Sequence, residues 1–488
     1  RFLHTGAPMH TPRPGDIVAE YRLSRGEWPL PIRGVTTFGP VSFFAPMGCG
    51  SGGSTTIFGA QLERFKPADF QPRASFPHVT DSVLPEQWPI THDELVPYYR
   101  RAEAHYRVCG TPDPLSPDPE ATLRAPPRLS ERDQQLHDSL VSLGLHPYRS
   151  HVGFHEIPDC RECFALCPLN CKSDAGSRSL LPALTQHGAR LLPDCEVQEV
   201  IADRTRVTGV RATRNGEELR LTAKVVVLAA GSFMTPVLLL RSRSTDWPDG
   251  VANRSGFVGR TLMLHTSDFF TIDHREWHRV AGPYKSLSLN DFYVDNGKKL
   301  GTLQAVGLPL VPEAILSYLR YAESRDPQWW RMPVTRLLPL ASRVSARVFR
   351  RASLFSTIVE DLPYPDNRVL PDANSPNGRR FVYRYTRDLR RRNRHFRRVL
   401  ARRLSPRHRV TVVTGGGNNL NYGHACGTCR FGDDPATSVL DRTNRAHDLD
   451  NLYVVDASFF PSSGGTNPSL TIAANALRVG GIIDEQLG

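Results

Sequence analysis

The chain has 488 residues, 40% hydrophobic and 23% charged, with a formal net charge of +12. These values exclude a disordered, collagen-like or small disulfide-scaffold protein. No apolar run reaches about 18 residues, so no membrane-spanning helix is expected. Nine cysteines, an odd number in a chain of this size, do not suit a disulfide framework.

Arg1 opens the chain without a charged-then-apolar leader pattern. The expectation is a start inside a longer precursor or reading frame, which leaves the compartment open. Residues 1–40 show little periodicity, and residues 41–45 (VSFFA) suggest a short strand. Residues 48–56 (GCGSGGSTT) formally contain G-x-G-x-x-G. Residues 62–70 do not read as the second buried strand a dinucleotide fold requires, so this stretch is expected to be a Gly-rich loop of close backbone approach. Residues 71–150 are Pro-rich, with helices predicted over 91–108 and 130–143. They read as a lid or insertion.

Cys160, Cys163, Cys167 and Cys171 follow with C-x2-C-x3-C-x3-C spacing. Zinc sites use two separated pairs. Closely spaced thiolates before a proline are nearer to iron–sulfur runs. An iron–sulfur cluster and a metal-free loop both remain open. A helix is expected over 177–187 and a strand over 190–201. An antiparallel pair is expected over 207–213 and 217–222, turning at Asn215-Gly216. Residues 224–232 (KVVVLAAGS) read as a buried parallel strand delivering small residues to a ligand, with a helix starting at Pro236. Strand-like runs across 261–385 suggest a mostly antiparallel second domain of α+β type.

Much of the positive charge lies in residues 390–409. One reading is a nucleic-acid patch. The other is a solvated helix face over a buried stripe of Phe396, Val399, Leu400 and Leu404. The block holds a single aromatic ring where a stacking groove needs several, so no nucleic-acid partner is expected.

Near the C-terminus an apolar strand, residues 452–455, ends in Asp456 and a Gly/Ser loop. Asn467 suits the cap of a helix, a role that competes with a catalytic one for the same side chain, with Pro468 in the first turn and the helix reaching about Asp484. Cys426 and Cys429 read as packing residues, and His265, His278 and His447 as structural ones.

Several segments, taken together and in order, resemble the glucose–methanol–choline (GMC) family of flavin-dependent oxidoreductases. They are Gly52-Gly53-Ser54-Thr55, the cysteine stretch running into Lys172, Cys195-Glu-Val197, the run from Leu228 to Pro236, His424-x-x-Gly427-Thr428, Asn451 to Asp456, and Phe460 to Pro468. The cysteine stretch resembles bacterial sugar and alcohol dehydrogenases, some of which carry an iron–sulfur cluster and pass electrons to a cytochrome. The resemblance implies an α/β plus α+β fold. A Rossmann-like FAD-binding domain (41–70, 151–260 and 410–488) would meet a mostly antiparallel substrate domain (261–409), with 71–150 as the lid. It further implies that Gly52, Gly53 and Ser54 approach the flavin or ribitol, Val197 the adenine, Ala230 and Gly231 the pyrophosphate, and Asp456 the ribitol or pyrophosphate. The helix opening at Pro468 would then point at the flavin. A cytochrome or small-subunit partner is a further implication.

Three departures stand out. The family's opening strand, G-x-G-x-x-G loop, helix and ribose-binding acid are absent from this sequence, so the FAD domain is expected to be incomplete at its N-terminus. Phe58 stands where many members have Asn or His, and Phe431 where many have Met. Oxidising an alcohol removes a proton from oxygen and a hydride from carbon; flavin takes the hydride. His is the side chain whose ordinary pKa suits the proton. His424 is thus the expected base and Asn467 the expected donor to the substrate oxygen, acting on a sugar, polyol or other alcohol with an acceptor other than oxygen. The alternative is a truncated or non-catalytic relative that needs a partner chain to bind FAD.

Overall fold

Two short apolar runs far apart in the chain, Val226–Leu228 and Leu452–Val454, pair in parallel, with Leu452 opposite Val226 and Val454 opposite Leu228. In the computed structural model, which describes residues 22–23, 26–118, 121–154, 171–273, 285–307, 310–325, 337–413 and 419–488, this pair sets where two turns lie that hold residues expected at the cofactor. Gly231 follows one strand and Asp456 the other. The Asp456 carboxylate joins them: Oδ2 accepts from the Gly231 N–H at 2.9 Å and the Thr235 hydroxyl at 2.5 Å, and Oδ1 accepts from the Ser458 N–H at 2.8 Å. Asn451 anchors the other end, accepting from the Val207 N–H and donating to the carbonyls of Val207 and Lys224.

The expected antiparallel pair is present as Val207–Arg214 and Glu217–Leu221, joined in one three-stranded sheet by Cys195–Ala202. Asn215 and Gly216 both adopt positive φ, 53° and 84°, as a tight hairpin turn between right-twisted strands demands.

The antiparallel sheet expected in the second domain has six strands among the described residues. In order they are Val410–Val412, Phe269–Asp273, Ala352–Val359, Gly301–Ala305, Leu287–Leu289 and Tyr148–Arg149. The last expected strand of the 261–385 region, Arg379–Tyr383, lies elsewhere. It pairs in parallel with Ile32–Thr36 in a separate four-stranded sheet. Ile32–Thr36 alternates buried and exposed, but five residues between prolines and glycines are too short for the period to stand out. Gly34 in that strand faces Phe381, where an added Cβ would lie 2.3 Å from the ring.

Helices obey their local signals. His92–His105 starts at a capping box in which the Thr91 hydroxyl accepts from the Glu94 N–H and the Glu94 carboxylate from the Thr91 N–H. Glu131–Ser142 is capped by Ser130. The basic block forms Arg387–Leu404, burying Phe396, Val399, Leu400 and Leu404 as expected. Two of its arginines turn inward: Arg397 makes two bonds to Asp268 and Arg392 reaches Asp388. The final helix, Ser469–Leu487, is capped at Pro468 with no side-chain bond. Asn467 therefore does not cap, so the capping one of its two sequence readings is not realised. No helix among the described residues is long and apolar enough to cross a membrane.

The interior holds a buried ion cluster. Lys299 Nζ is 2.5 Å from Asp69 and 2.6 Å from Glu360, all three with fully buried side chains. Removing one member strands the others in a dry interior, which typically costs about 3–5 kcal/mol. Lys299→Met is accordingly expected to lower the unfolding free energy by about that amount in urea titration; a loss below about 1 kcal/mol would contradict a paired, desolvated cluster.

Candidate active site

The stretch from Phe460 to Asn467 has no regular structure of its own, so its backbone bonds to other elements. The Trp88 indole N–H donates to the Ser462 hydroxyl at 2.7 Å. The Ser463 hydroxyl accepts from the Asp361 N–H and donates to the Asp361 carbonyl. The Gly465 N–H donates to the Tyr293 hydroxyl, which in turn donates to Asp69. The Gly465 carbonyl accepts from the Thr302 N–H. Gly464 has φ 67° and lies against the Phe65 ring, where an added Cβ would come within 2.7 Å.

This loop holds Asn467 opposite His424, which lies in the short turn Tyr422–His424. Asn467 Nδ2 and His424 Nε2 are 3.4 Å apart. The expected polar pair is thus brought together across 43 residues of sequence. Asn467 Oδ1 and Thr466 Oγ1 are buried with no hydrogen-bond partner among the described residues. Burial first, then His265 and Lys285 nearby, hold His424 well below the ordinary histidine range, so it is neutral near pH 7 with a ring nitrogen free to take a proton.

His265 is the residue the sequence did not point to. It is fully buried, and its Nδ1 lies 3.1 Å from His424 Nδ1, with the rings perpendicular and their centroids 5.1 Å apart. Its Nε2 faces the carbonyls of Ser463 at 3.1 Å and Gly464 at 2.9 Å. Burial outweighs those bonds and brings its pKa down to about 4. No local spacing could have found it: its partners lie 159 and 198 residues away. The sequence reading of His265 as structural did not include this contact with His424.

The residues expected at the cofactor lie as follows. Ala230 is exposed. Gly231 has φ 86° and open space where a Cβ would be. Beside them the Ser232 hydroxyl is buried without a partner among the described residues. Gly53 also faces open space, whereas Gly52 is packed on Gly176 and Asp174. The Ser54 hydroxyl is used within its loop, accepting from the Gly48 N–H at 3.0 Å. Val197 stands 39% exposed in the three-stranded sheet. Asp456 spends both carboxylate oxygens on protein donors and so shapes the Gly231 turn. Pro468 is buried at the start of the final helix, whose first-turn N–H groups lack a side-chain cap. Orphaned polar atoms, open glycines and an uncapped helix start suit a large ligand rich in hydrogen-bonding groups and negative charge, as FAD is.

Of the proposed cluster ligands, Cys160, Cys163 and Cys167 lie outside the described residues, and Cys171 is buried. Among the described residues no group of three or more His, Cys, Asp or Glu side chains could hold a metal ion. An iron–sulfur cluster therefore gains no support.

A parallel strand pair ending at an open glycine, beside an antiparallel sheet and a partly buried His–Asn pair, suits a cofactor-binding oxidoreductase. The GMC oxidoreductase family models match residues 36–267 and 363–476, and the chain belongs to that family. It is 31% identical to 6'''-hydroxyparomomycin C oxidase of Streptomyces lividus, over 89% of this chain and 79% of that protein. It is 27% identical to 2-methyl-1,2-propanediol dehydrogenase of Mycolicibacterium austroafricanum, over 89% and 80%. The fold matches pyridoxine 4-oxidase from Mesorbium loti with a TM-score of 0.61 at 18% identity, over 95% of this chain and 91% of that one.

The depressed pKa of His265 has a consequence for stability. Its folded value, about 4, lies below the unfolded value of about 6.5, so the unfolded chain binds the proton first. The contribution of a neutral His265 is intact above about pH 6.5 and is lost as pH falls towards 4. His265→Asn cannot titrate. The stability difference between wild type and this variant, followed by urea titration from pH 7 to pH 4, is expected to move in the variant's favour by about 3 kcal/mol. A difference independent of pH would contradict a buried neutral ring.

Proposed function

We propose that this protein oxidises the CH–OH group of a sugar, polyol or other small polar alcohol to a carbonyl, with FAD as cofactor. The observation that carries the reading is the convergence of His424 Nε2 and Asn467 Nδ2 in front of the uncapped start of the final helix. A hydroxyl oxygen placed between them donates its proton towards Nε2 and accepts from the amide. His424 takes that proton, and its enclosed surroundings keep it neutral until it does so. Bound FAD supplies the hydride acceptor. The free N–H groups of the final helix favour negative charge placed before them. Ala230, Gly231, Gly53 and the Ser232 hydroxyl are assigned to hold the cofactor, and Asp456 acts by fixing the Gly231 turn. The family supports CH–OH chemistry, and relatives named for a hydroxyparomomycin and a propanediol support polar alcohols as substrates.

The test is to supply FAD, separate unbound cofactor, and assay carbonyl formation on an alcohol and sugar panel with either a dye or oxygen as acceptor. Wild type is expected to be yellow and to form a carbonyl from at least one class, and the acceptor that sustains turnover separates dehydrogenase from oxidase. His424→Ala is expected to retain flavin and lose about 10²–10⁴-fold in rate. A colourless protein after FAD addition, or an unchanged rate in the variant, would overturn the assignment.

A further inference from the structure

We propose that His265 is a positioning residue that fixes the tautomer of His424 through a one-directional hydrogen-bond chain beginning at the carbonyls of Ser463 and Gly464. This inference rests on the reading of His424 as the base and adds the group that makes it one.

The chain can be read in one direction only. Carbonyl oxygens accept and never donate. His265 Nε2, 3.1 Å from one carbonyl and 2.9 Å from another, must therefore carry a hydrogen. His265 is fully enclosed, and no carboxylate is hydrogen-bonded to it among the described residues; Asp69 and Lys299 act on it only at longer range and with opposite sign. A second proton on its ring has nothing to stabilise it. Its Nδ1 is therefore a lone pair. His424 Nδ1, 3.1 Å away, can meet that lone pair only as a donor. The remaining nitrogen of a neutral His424 is then an acceptor, and this is the Nε2 that faces the Asn467 amide.

The chemistry follows from that order. A neutral imidazole carrying its hydrogen on Nε2 could not take a proton at the position facing Asn467. The Ser463–Gly464 carbonyls, acting through His265, exclude that form. When His424 accepts the alcohol proton at Nε2, its Nδ1–H still points at His265, so the charged ring keeps a partner. A carboxylate orients the histidine in many acid–base sites, and none is hydrogen-bonded to His424 among the described residues. A neutral imidazole gives the orientation without a negative charge that would raise the pKa of His424.

The test is long-range proton–nitrogen NMR of the full chain labelled with ¹⁵N-histidine, with His424→Ala identifying the His424 signal. Wild type is expected to show His424 with its hydrogen on Nδ1. His265→Leu removes the acceptor and is expected to shift that signal to the Nε2–H or an averaged form. His265→Asn offers an amide oxygen near the position of Nδ1 and is expected to restore the Nδ1–H form. In turnover with FAD supplied, His265→Leu is expected to lose about 10- to 100-fold in kcat with KM within about threefold, and His265→Asn to recover part of it. Wild-type His424 in the Nε2–H form would overturn the proposal, as would an unchanged Nδ1–H signal in folded His265→Leu. The NMR result stands whether or not the wild type oxidises an alcohol, so failure of the proposed function remains separate from failure of this assignment.

Discussion

Much of this structure depends on the anchoring of one irregular loop, Phe460 to Asn467. Its polar groups bond to Trp88, Asp361, Tyr293, Thr302 and His265, which come from widely separated parts of the chain. The loop precedes the final helix and carries Asn467. Its anchoring therefore sets the helix start, the amide and the carbonyls facing His265 together. The buried Lys299–Asp69–Glu360 cluster belongs to the same anchoring, because Asp69 accepts from the Tyr293 hydroxyl that receives the Gly465 N–H. Buried charges are seldom a net source of stability. Here they hold a loop in a conformation that regular secondary structure would not supply.

A second constraint comes from Asp456. Four protein donors converge on its carboxylate, which fixes Gly231 at positive φ beside the end of the parallel pair. The family resemblance implied a cofactor contact for Asp456; in the structure its carboxylate builds the Gly231 turn. The loop and this carboxylate divide the task. One fixes the side chains suited to the proton and the other the backbone suited to a large anionic ligand.

Features with a local cause were legible in the sequence. The capped helices, the Asn215-Gly216 hairpin, the buried stripe of the basic helix and the small residues ending the strand before Gly231 each rest on neighbours within a few positions. His424 and Asn467 were legible through their motifs. What was hidden depends on contacts across long separations. The exit of Arg379–Tyr383 into a sheet with Ile32–Thr36 is decided by a partner more than 340 residues away. His265 carries no pattern of its own, because its neighbours come from two distant loops. Asn467 suited both a cap and a place in the site on sequence grounds, and contacts across the chain decide between them: its amide is held towards His424 and leaves the helix start uncapped.

The measurement that tests the central claim most directly is the pH dependence of alcohol oxidation by His424→Ala with FAD bound, from about pH 6 to pH 11. With no residue left to take the hydroxyl proton, the rate must rise about tenfold per pH unit, because hydroxide or substrate alkoxide has to supply what the side chain did. Wild type, whose His424 is already neutral at neutral pH, is expected to stay level over the same range. A variant whose profile is as level as that of the wild type would contradict His424 as the group that takes the proton.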